Sequence, residues 1–177
     1  MHEPEITLVE AAINGNAESF TELCQRYYPA MVAIAHSVLG DRHLAEDAAQ
    51  EAFAKAAVRL PQLRRKDRFA GWLAAICRNA AKDMVQVTDK RRTFNEPSTE
   101  TREPDRNENL EVVRQAIGKL SASARELVFL RYYDGLSYEQ ISAVLGLSPQ
   151  AINGRLRRAK RKMADYLRRN GFDEVRL

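Results

Sequence analysis

The amino-acid sequence predicts an all-α protein made of two small helical modules joined by a flexible linker, the C-terminal module being a helix-turn-helix. Strand signals are nearly absent, and helical spacing of apolar residues recurs along most of the 177 residues. Residues 93–109 interrupt this spacing with prolines, a serine, threonines and charges, and have too few apolar side chains to order themselves. We therefore expect modules at 1–92 and 110–177 and a linker at 93–109.

Composition and charge narrow the class of protein. Hydrophobic residues make up 45% and charged residues 29%, a globular balance. The longest nearly apolar runs, Ala30–Ala35 and Phe69–Cys77, are far below the roughly 18–20 residues that cross a bilayer, so we expect no membrane insertion. Residues 110–177 hold 13 basic and 7 acidic residues, a net charge of +6 against +4 for the whole chain. The C-terminal module therefore suits an anionic partner.

The first two helices are bounded by local signals. Thr7 and Glu10 have the spacing of a capping box, which predicts that the first helix begins at Thr7. The second helix is predicted from about Asn16 to the stop at Gly40, with Pro29 bending or dividing it. Its apolar stripe consists of Phe20, Leu23, Tyr27, Met31, Ile34 and Val38.

Two further helices complete the N-terminal module. Asp41 can cap the third, which runs to about Leu60 and is closed by Pro61. Its buried side is expected to hold Ala45, Ala48, Ala52, Phe53 and Ala56. A basic loop follows, and the fourth helix covers about residues 69–87.

The helix-turn-helix begins with a strong helix start. Ser137 and Gln140 form a capping box, and Leu136 and Ile141 occupy the positions of a hydrophobic staple. Gly146 suits the left-handed residue that ends the helix. This short helix, its glycine turn and a second helix are typical of a DNA-binding unit.

The second helix of this unit has two contrasting faces. Ser148 caps it and Pro149 takes its first position. Its inner face is expected to hold Ile152, Leu156, Ala159 and Met163. Its outer face carries Gln150, Asn153, Arg157 and Arg161, flanked by Arg155, Arg158, Lys160 and Lys162. Amides and guanidiniums can read base edges and bind phosphates, although a solvated basic face would have the same pattern.

Three motifs, in order and spacing, resemble bacterial RNA polymerase sigma factors of the extracytoplasmic-function (ECF) group. Leu44–Phe53 is similar to the family's AEDxxQExF segment, and Phe69–Ala80 to its FxxWLxxIxRN segment. Residues 127–163 resemble its region 4, with Gly135–Ile141 the most similar stretch. The resemblance implies a cytoplasmic, non-catalytic factor that binds core RNA polymerase, directs it to promoters and promotes DNA opening. It implies neither a cofactor nor a metal.

The resemblance also implies roles for individual residues. Asp47, Gln50 and Glu51, which share one helix face, would dock on the clamp helices of the polymerase β′ subunit; without the resemblance they would be a solvated acidic face. The set for the promoter −10 element is Arg64, Arg65, Lys66, Arg68, Trp72, Asn79 and Lys82. The set for the −35 element is Gln150, Asn153, Arg155, Arg157, Arg158 and Arg161.

The resemblance implies further partners, and the sequence also differs from the family pattern at several positions. The polymerase β flap and an anti-sigma factor are implied as partners. Ala48–Ala49 replaces a bulkier apolar pair, and Gly154 stands where a small hydroxyl residue is usual. Gln150 and Asn153 also differ from the commonest residues, so the −35 sequence is not inherited from relatives.

Two other classes of function fit parts of this sequence pattern. A helix-turn-helix regulator acting without core polymerase would share the C-terminal module but leave the Asp47–Glu51 face and Trp72 without a role. An enzyme is disfavoured, because the three histidines form no constellation with a nucleophile or metal ligands. No phosphate-binding GxxxxGK[ST] loop is present in the sequence.

Overall fold

The computed structural model describes the backbone of residues 4–94 and 108–172 and the side chains of residues 4–86 and 110–172. Over these residues the chain is helical and has no strand, which confirms the predicted fold class. The helices are α1 (Glu5–Ile13), α2 (Ala17–Leu39), α3 (Arg42–Arg59), α4 (Phe69–Phe94), α5 (Glu108–Gly118), α6 (Ala122–Val128), α7 (Tyr138–Leu145) and α8 (Pro149–Arg169). Short 3₁₀ turns at Leu60–Gln62 and Lys66–Arg68 join α3 to α4, and a π-helical turn at Phe129–Tyr133 extends α6. Every helix in these ranges is too short or too polar to cross a bilayer.

The start of α1 differs from the sequence prediction. The helix begins at Glu5, and its N-cap is Pro4, with no side-chain cap, so the Thr7 capping box was wrong. Proline at this entry fixes φ at −57° and lacks the N–H that a helix start would leave unpaired. The Glu5 carboxylate also accepts a hydrogen bond from the Tyr27 hydroxyl, which ties the first turn of α1 to α2.

Helix α2 is the central element of the fold. Asn16 caps it by accepting from Ser19 N–H, and Gly40 ends it with φ 68°. The helix continues through Pro29 without division, with the proline on its exposed side and Tyr27 and Ala30 buried on the other. Residues Ala30–Ala35 are all buried, since α3 and α4 cover one side and α6 with its π-helical turn covers another.

Small side chains allow α3 to pack closely on α2 and α4. The predicted inner face is confirmed: Ala45, Ala48, Ala52, Phe53 and Ala56 are buried. Asp41 caps the helix through Leu44 N–H, and the helix gives way to the 3₁₀ turn at Leu60. The outward face of α3 is therefore left for polar residues.

The helices on either side of the linker extend beyond the predicted ends. Helix α4 continues to Phe94 rather than ending near Val87, and α5 begins at Glu108. The predicted linker at 93–109 thus overlaps helix at both ends. The rest of that prediction, at 95–107, lies outside the described residues.

The helix-turn-helix forms as predicted. Ser137 and Gln140 make both hydrogen bonds of the capping box, and Gly146 ends α7 with φ 66°. Ser148 caps α8 by accepting from Ala151 N–H, with Pro149 in the first turn. These local signals fix the angle at which α8 leaves the turn.

The two modules also contact each other. Arg78 on α4 forms an ion pair with Glu126 on α6, Nη2 to Oε1 2.7 Å, at a largely buried position. The imidazole of His36 on α2 packs edge-on against the rings of Phe129 and Tyr133, with centroids 4.8 and 4.7 Å away. Helix α4 also lies against α7.

Candidate nucleic-acid interface

The predicted docking face lies on the outer side of α3. Asp47 and Gln50 are exposed, and Glu51 is half-exposed with its Oε1 2.7 Å from Lys55 Nζ. The face is opposite the buried alanines, so a partner can reach it without rearrangement of the module. Asp47, Gln50 and Glu51 thus lie side by side and form one continuous polar surface on α3.

Exposed apolar side chains extend this face at both ends. Leu44 lies at one end with 42% of its surface exposed, and Val58 lies at the other with 78% exposed. At 100° per residue both fall within roughly 60° of Asp47 on the helix surface. Apolar ends around a polar centre are suited to a protein partner. Sequence reasoning missed Val58, although the four-residue spacing from Ala54 could have identified it.

The basic loop between α3 and α4 is partly ordered by its own carboxylate. Arg65 donates to Asp67, Nη2 to Oδ2 2.7 Å, which holds the pKa of that carboxyl below its usual value. The Nε atom of Arg68 also lies 3.7 Å from Asp67 Oδ2. Lys66 reaches α1 instead, with its Nζ 2.8 Å from Glu10 Oε1. Because these pairs are exposed, they hold the loop only weakly and can be exchanged for phosphates.

The remaining −10 candidates form a stripe along α4. Trp72, Asn79 and Lys82 fall within roughly 80° of one another, and Arg68 precedes them on the same line. Asn79 and Lys82 are exposed, whereas Trp72 is half-buried with its ring 5.9 Å from that of Phe69. The structure therefore aligns Arg68 with the α4 residues, whereas Lys66 is turned toward α1.

The −35 candidates lie on the outer face of α8. The predicted inner face is confirmed, because Ile152, Leu156, Ala159 and Met163 are all buried. The exposed residues are Gln150, Asn153, Arg155, Arg157, Arg158 and Arg161. The ammonium of Lys160 lies apart from them, 4.7 Å from the centroid of the Tyr132 ring.

Sequence reasoning missed the contacts between the two modules. A cleft of about 340 Å³ separates the Asp67–Arg68 segment and α4 from the Ser142–Gly146 end of α7. Arg78 lines this cleft and pairs with Glu126. No local spacing links residues so far apart along the chain. The run of apolar residues at 30–35 was the available signal that α2 is covered on more than one side.

Two family models match the chain in the order of its modules. The model for Sigma-70 region 2 matches residues 23–93, and the model for Sigma-70, region 4 matches residues 110–163. The fold and these surfaces thus define an RNA polymerase sigma factor of the sigma-70 class. The ECF RNA polymerase sigma factor SigE of Mycolicibacterium smegmatis is 30% identical over 97% of this chain and 71% of its own length. The chain belongs to the ECF RNA polymerase sigma factors.

Solved structures agree with this assignment. The structure of CnrH in complex with the cytosolic domain of CnrY has a TM-score of 0.60 and 26% identity, covering 94% of this chain and 99% of that one. The sigma factor RpoE in complex with the anti-sigma factor NepR, from Bartonella quintana, has a TM-score of 0.52 and 25% identity, covering 86% and 98%. The chain is therefore a non-enzymatic factor that binds RNA polymerase and promoters for transcription initiation. The regulator acting without core polymerase is set aside.

Proposed function

We propose that the three exposed surfaces divide the work of transcription initiation between them. The α3 face with Asp47, Gln50 and Glu51 docks on the β′ clamp helices of core RNA polymerase. The loop and α4 stripe bind the −10 element, and α8 binds the −35 element. This proposal is supported by the exposed polar and charged side chains in every one of these sets.

The α4 stripe is suited to an unpaired strand. A flipped base is held by stacking and by hydrogen bonds to its edge, which offset an unstacking cost of a few kcal/mol. Asn79 offers an amide to a base or its backbone, and Lys82 lies about one turn further along to bind a phosphate. The loop arginines and lysine add positive charge at the start of the stripe. Binding that favours the open strand opens the duplex without a motor.

The outer face of α8 is suited to the duplex major groove. Arginine binds guanine edges bidentately, and asparagine or glutamine does so with adenine. Arg157, Arg161, Gln150 and Asn153 supply these groups, while Arg155 and Arg158 flank them toward the phosphates. We place the β flap of the polymerase as the partner of the C-terminal module.

A regulatory partner is part of the same proposal. Two similar structures hold their sigma factors in complex with other proteins, the CnrY cytosolic domain and the anti-sigma factor NepR. By analogy, an anti-sigma factor binds this chain and covers its polymerase- and DNA-binding surfaces. The chain acts with core RNA polymerase in the cytoplasm.

The docking assignment is tested by replacing the exposed polar centre of α3. The double variant Asp47→Ala/Gln50→Ala should weaken binding to sigma-free core polymerase by about tenfold or more, since groups at an interface centre often contribute more than about 1 kcal/mol each. Glu18→Ala/Gln25→Ala removes the same two kinds of group from exposed positions on α2 and is the matched control. Unchanged core affinity in the α3 variant, measured by fluorescence anisotropy, would remove α3 from the interface.

A further inference from the structure

Gly154 is half-buried and lies at the centre of the outer face of α8. Successive helical residues are about 100° apart, which places Gly154 directly opposite the buried Met163. The residues around it on this face are Gln150, Arg157, Arg158 and Arg161. These long side chains surround a position at which no Cβ covers the helix backbone.

A glycine at this position opposes helix formation. Glycine inside a helix lowers the folding equilibrium by about fivefold relative to alanine. Its φ is not positive, unlike that of Gly146 at the end of α7, so the backbone does not require it. A methyl group built at Gly154 would lie 3.7 Å from Arg158 Nη1, an ordinary contact with the end of a flexible side chain. The free protein thus has neither a conformational nor a packing reason for this glycine.

Close approach to a ligand supplies the missing reason. The major groove is about 12 Å wide, and a helix with its side chains is about 10–12 Å across, so side chains on the leading edge limit how deeply it enters. Without a Cβ at that edge, the backbone can move inward by about 1.5 Å, the length of one C–C bond. The side chains of the surrounding arginines are long enough to reach past Gly154 on both sides.

We propose that Gly154 is a specificity-determining residue that seats α8 against the base pair beneath it in the major groove of the −35 duplex. This inference rests on the proposed function of α8. A side chain at Gly154 is therefore expected to raise the melting temperature of the free protein and to lower its affinity for the −35 duplex.

The test compares Gly154→Ala with Gly118→Ala in the full chain. Gly118 is the exposed last residue of α5, has no positive φ, and an added Cβ there has open space around it. Each variant is assembled with core polymerase, and its affinity is measured for two duplexes. The first duplex is selected from a random library by the wild-type holoenzyme. The second is the same duplex with its upstream element scrambled. Melting temperatures of the free variants are measured alongside.

The expected result separates the two glycines. Gly154→Ala should raise the melting temperature by about 2–4 °C, and Gly118→Ala should not lower it. Only Gly154→Ala should lose affinity for the selected duplex, by at least about fivefold, with no loss on the scrambled duplex. A lower melting temperature for Gly154→Ala, unchanged affinity, or equal loss on both duplexes would overturn the proposal.

Failure of this inference is distinguishable from failure of the proposed function. Arg157→Ala, measured on the same two duplexes, reports whether the α8 face binds the promoter at all. If Arg157→Ala loses affinity and Gly154→Ala does not, only the seating role is overturned. If both bind normally, the −35 assignment of α8 fails together with it.

Discussion

If α8 binds the −35 element as proposed, its individual side chains are expected to have separable roles, because they point in different directions from the helix axis. Arg157 lies about 60° from the centre of the outer face at Gly154, whereas Arg155 lies about 100° to the other side, toward the edge of that face. Both are exposed, so neither contributes to the core. A guanidinium in the groove reads bases, and one at the edge neutralises phosphates without reading sequence.

Arg157→Ala should therefore reduce binding to the selected −35 duplex by about 1–3 kcal/mol and relax preference at one base position. Arg155→Ala should weaken selected and scrambled duplexes alike and reduce the dependence of affinity on salt. Electrophoretic mobility shifts of the holoenzyme at two salt concentrations measure both effects. Equal loss on both duplexes for Arg157→Ala would make it a phosphate contact instead.

At the scale of elements, the sequence predicted what neighbouring residues decide. The capping box at Ser137, the left-handed Gly146 and the inner face of α8 depend on contacts within one or two turns, and all were confirmed. The first turn of α1 was not predicted, because the Tyr27 hydroxyl bonds to Glu5 across the chain. Tertiary packing also decides the burial of Ala30–Ala35 on all sides, which a single apolar stripe did not suggest.

The contact between α2 and the π-helical turn contains a titratable ring. His36 packs against Phe129 and Tyr133, and its Nδ1 is buried without a hydrogen-bond partner. Burial lowers the pKa of His36 below its ordinary 6.5, the charge of Arg42 lowers the pKa further, and Asp41 opposes this. The folded state thus disfavours the protonated ring, so this contribution to stability is fully present above pH 6.5 and is lost as the pH falls below it.

His36→Phe keeps an aromatic ring between α2 and the π-helical turn but cannot titrate. We expect its free energy of unfolding to fall less than that of the wild type between pH 7 and pH 5, as measured by urea denaturation. Burial raises the pKa of Asp134, but this group titrates in both proteins and cancels in the comparison. Parallel pH profiles for the two proteins would show that His36 titrates as an ordinary exposed histidine.

At the scale of the whole molecule, the two modules contact each other, and many of the predicted site residues remain exposed while Arg68 lines the cleft between the modules. The Arg78–Glu126 pair and the His36 contact lie between the modules, and Asp47, Asn79 and the α8 arginines remain exposed. The contact between the modules could not be predicted from the sequence, because Arg78 and Glu126 are 48 residues apart and share no local pattern.

Binding along α4 is proposed to open the promoter, and permanganate reactivity of promoter thymines measures that opening. Core polymerase with the wild-type chain should render thymines of the selected promoter reactive. Asn79→Ala should reduce that reactivity by about tenfold, as expected for loss of one contact to an unpaired base, while leaving initial binding nearly unchanged. Gln25→Ala, an exposed amide on α2, should behave as the wild type. Undiminished thymine reactivity with Asn79→Ala would show that Asn79 does not contribute to promoter opening.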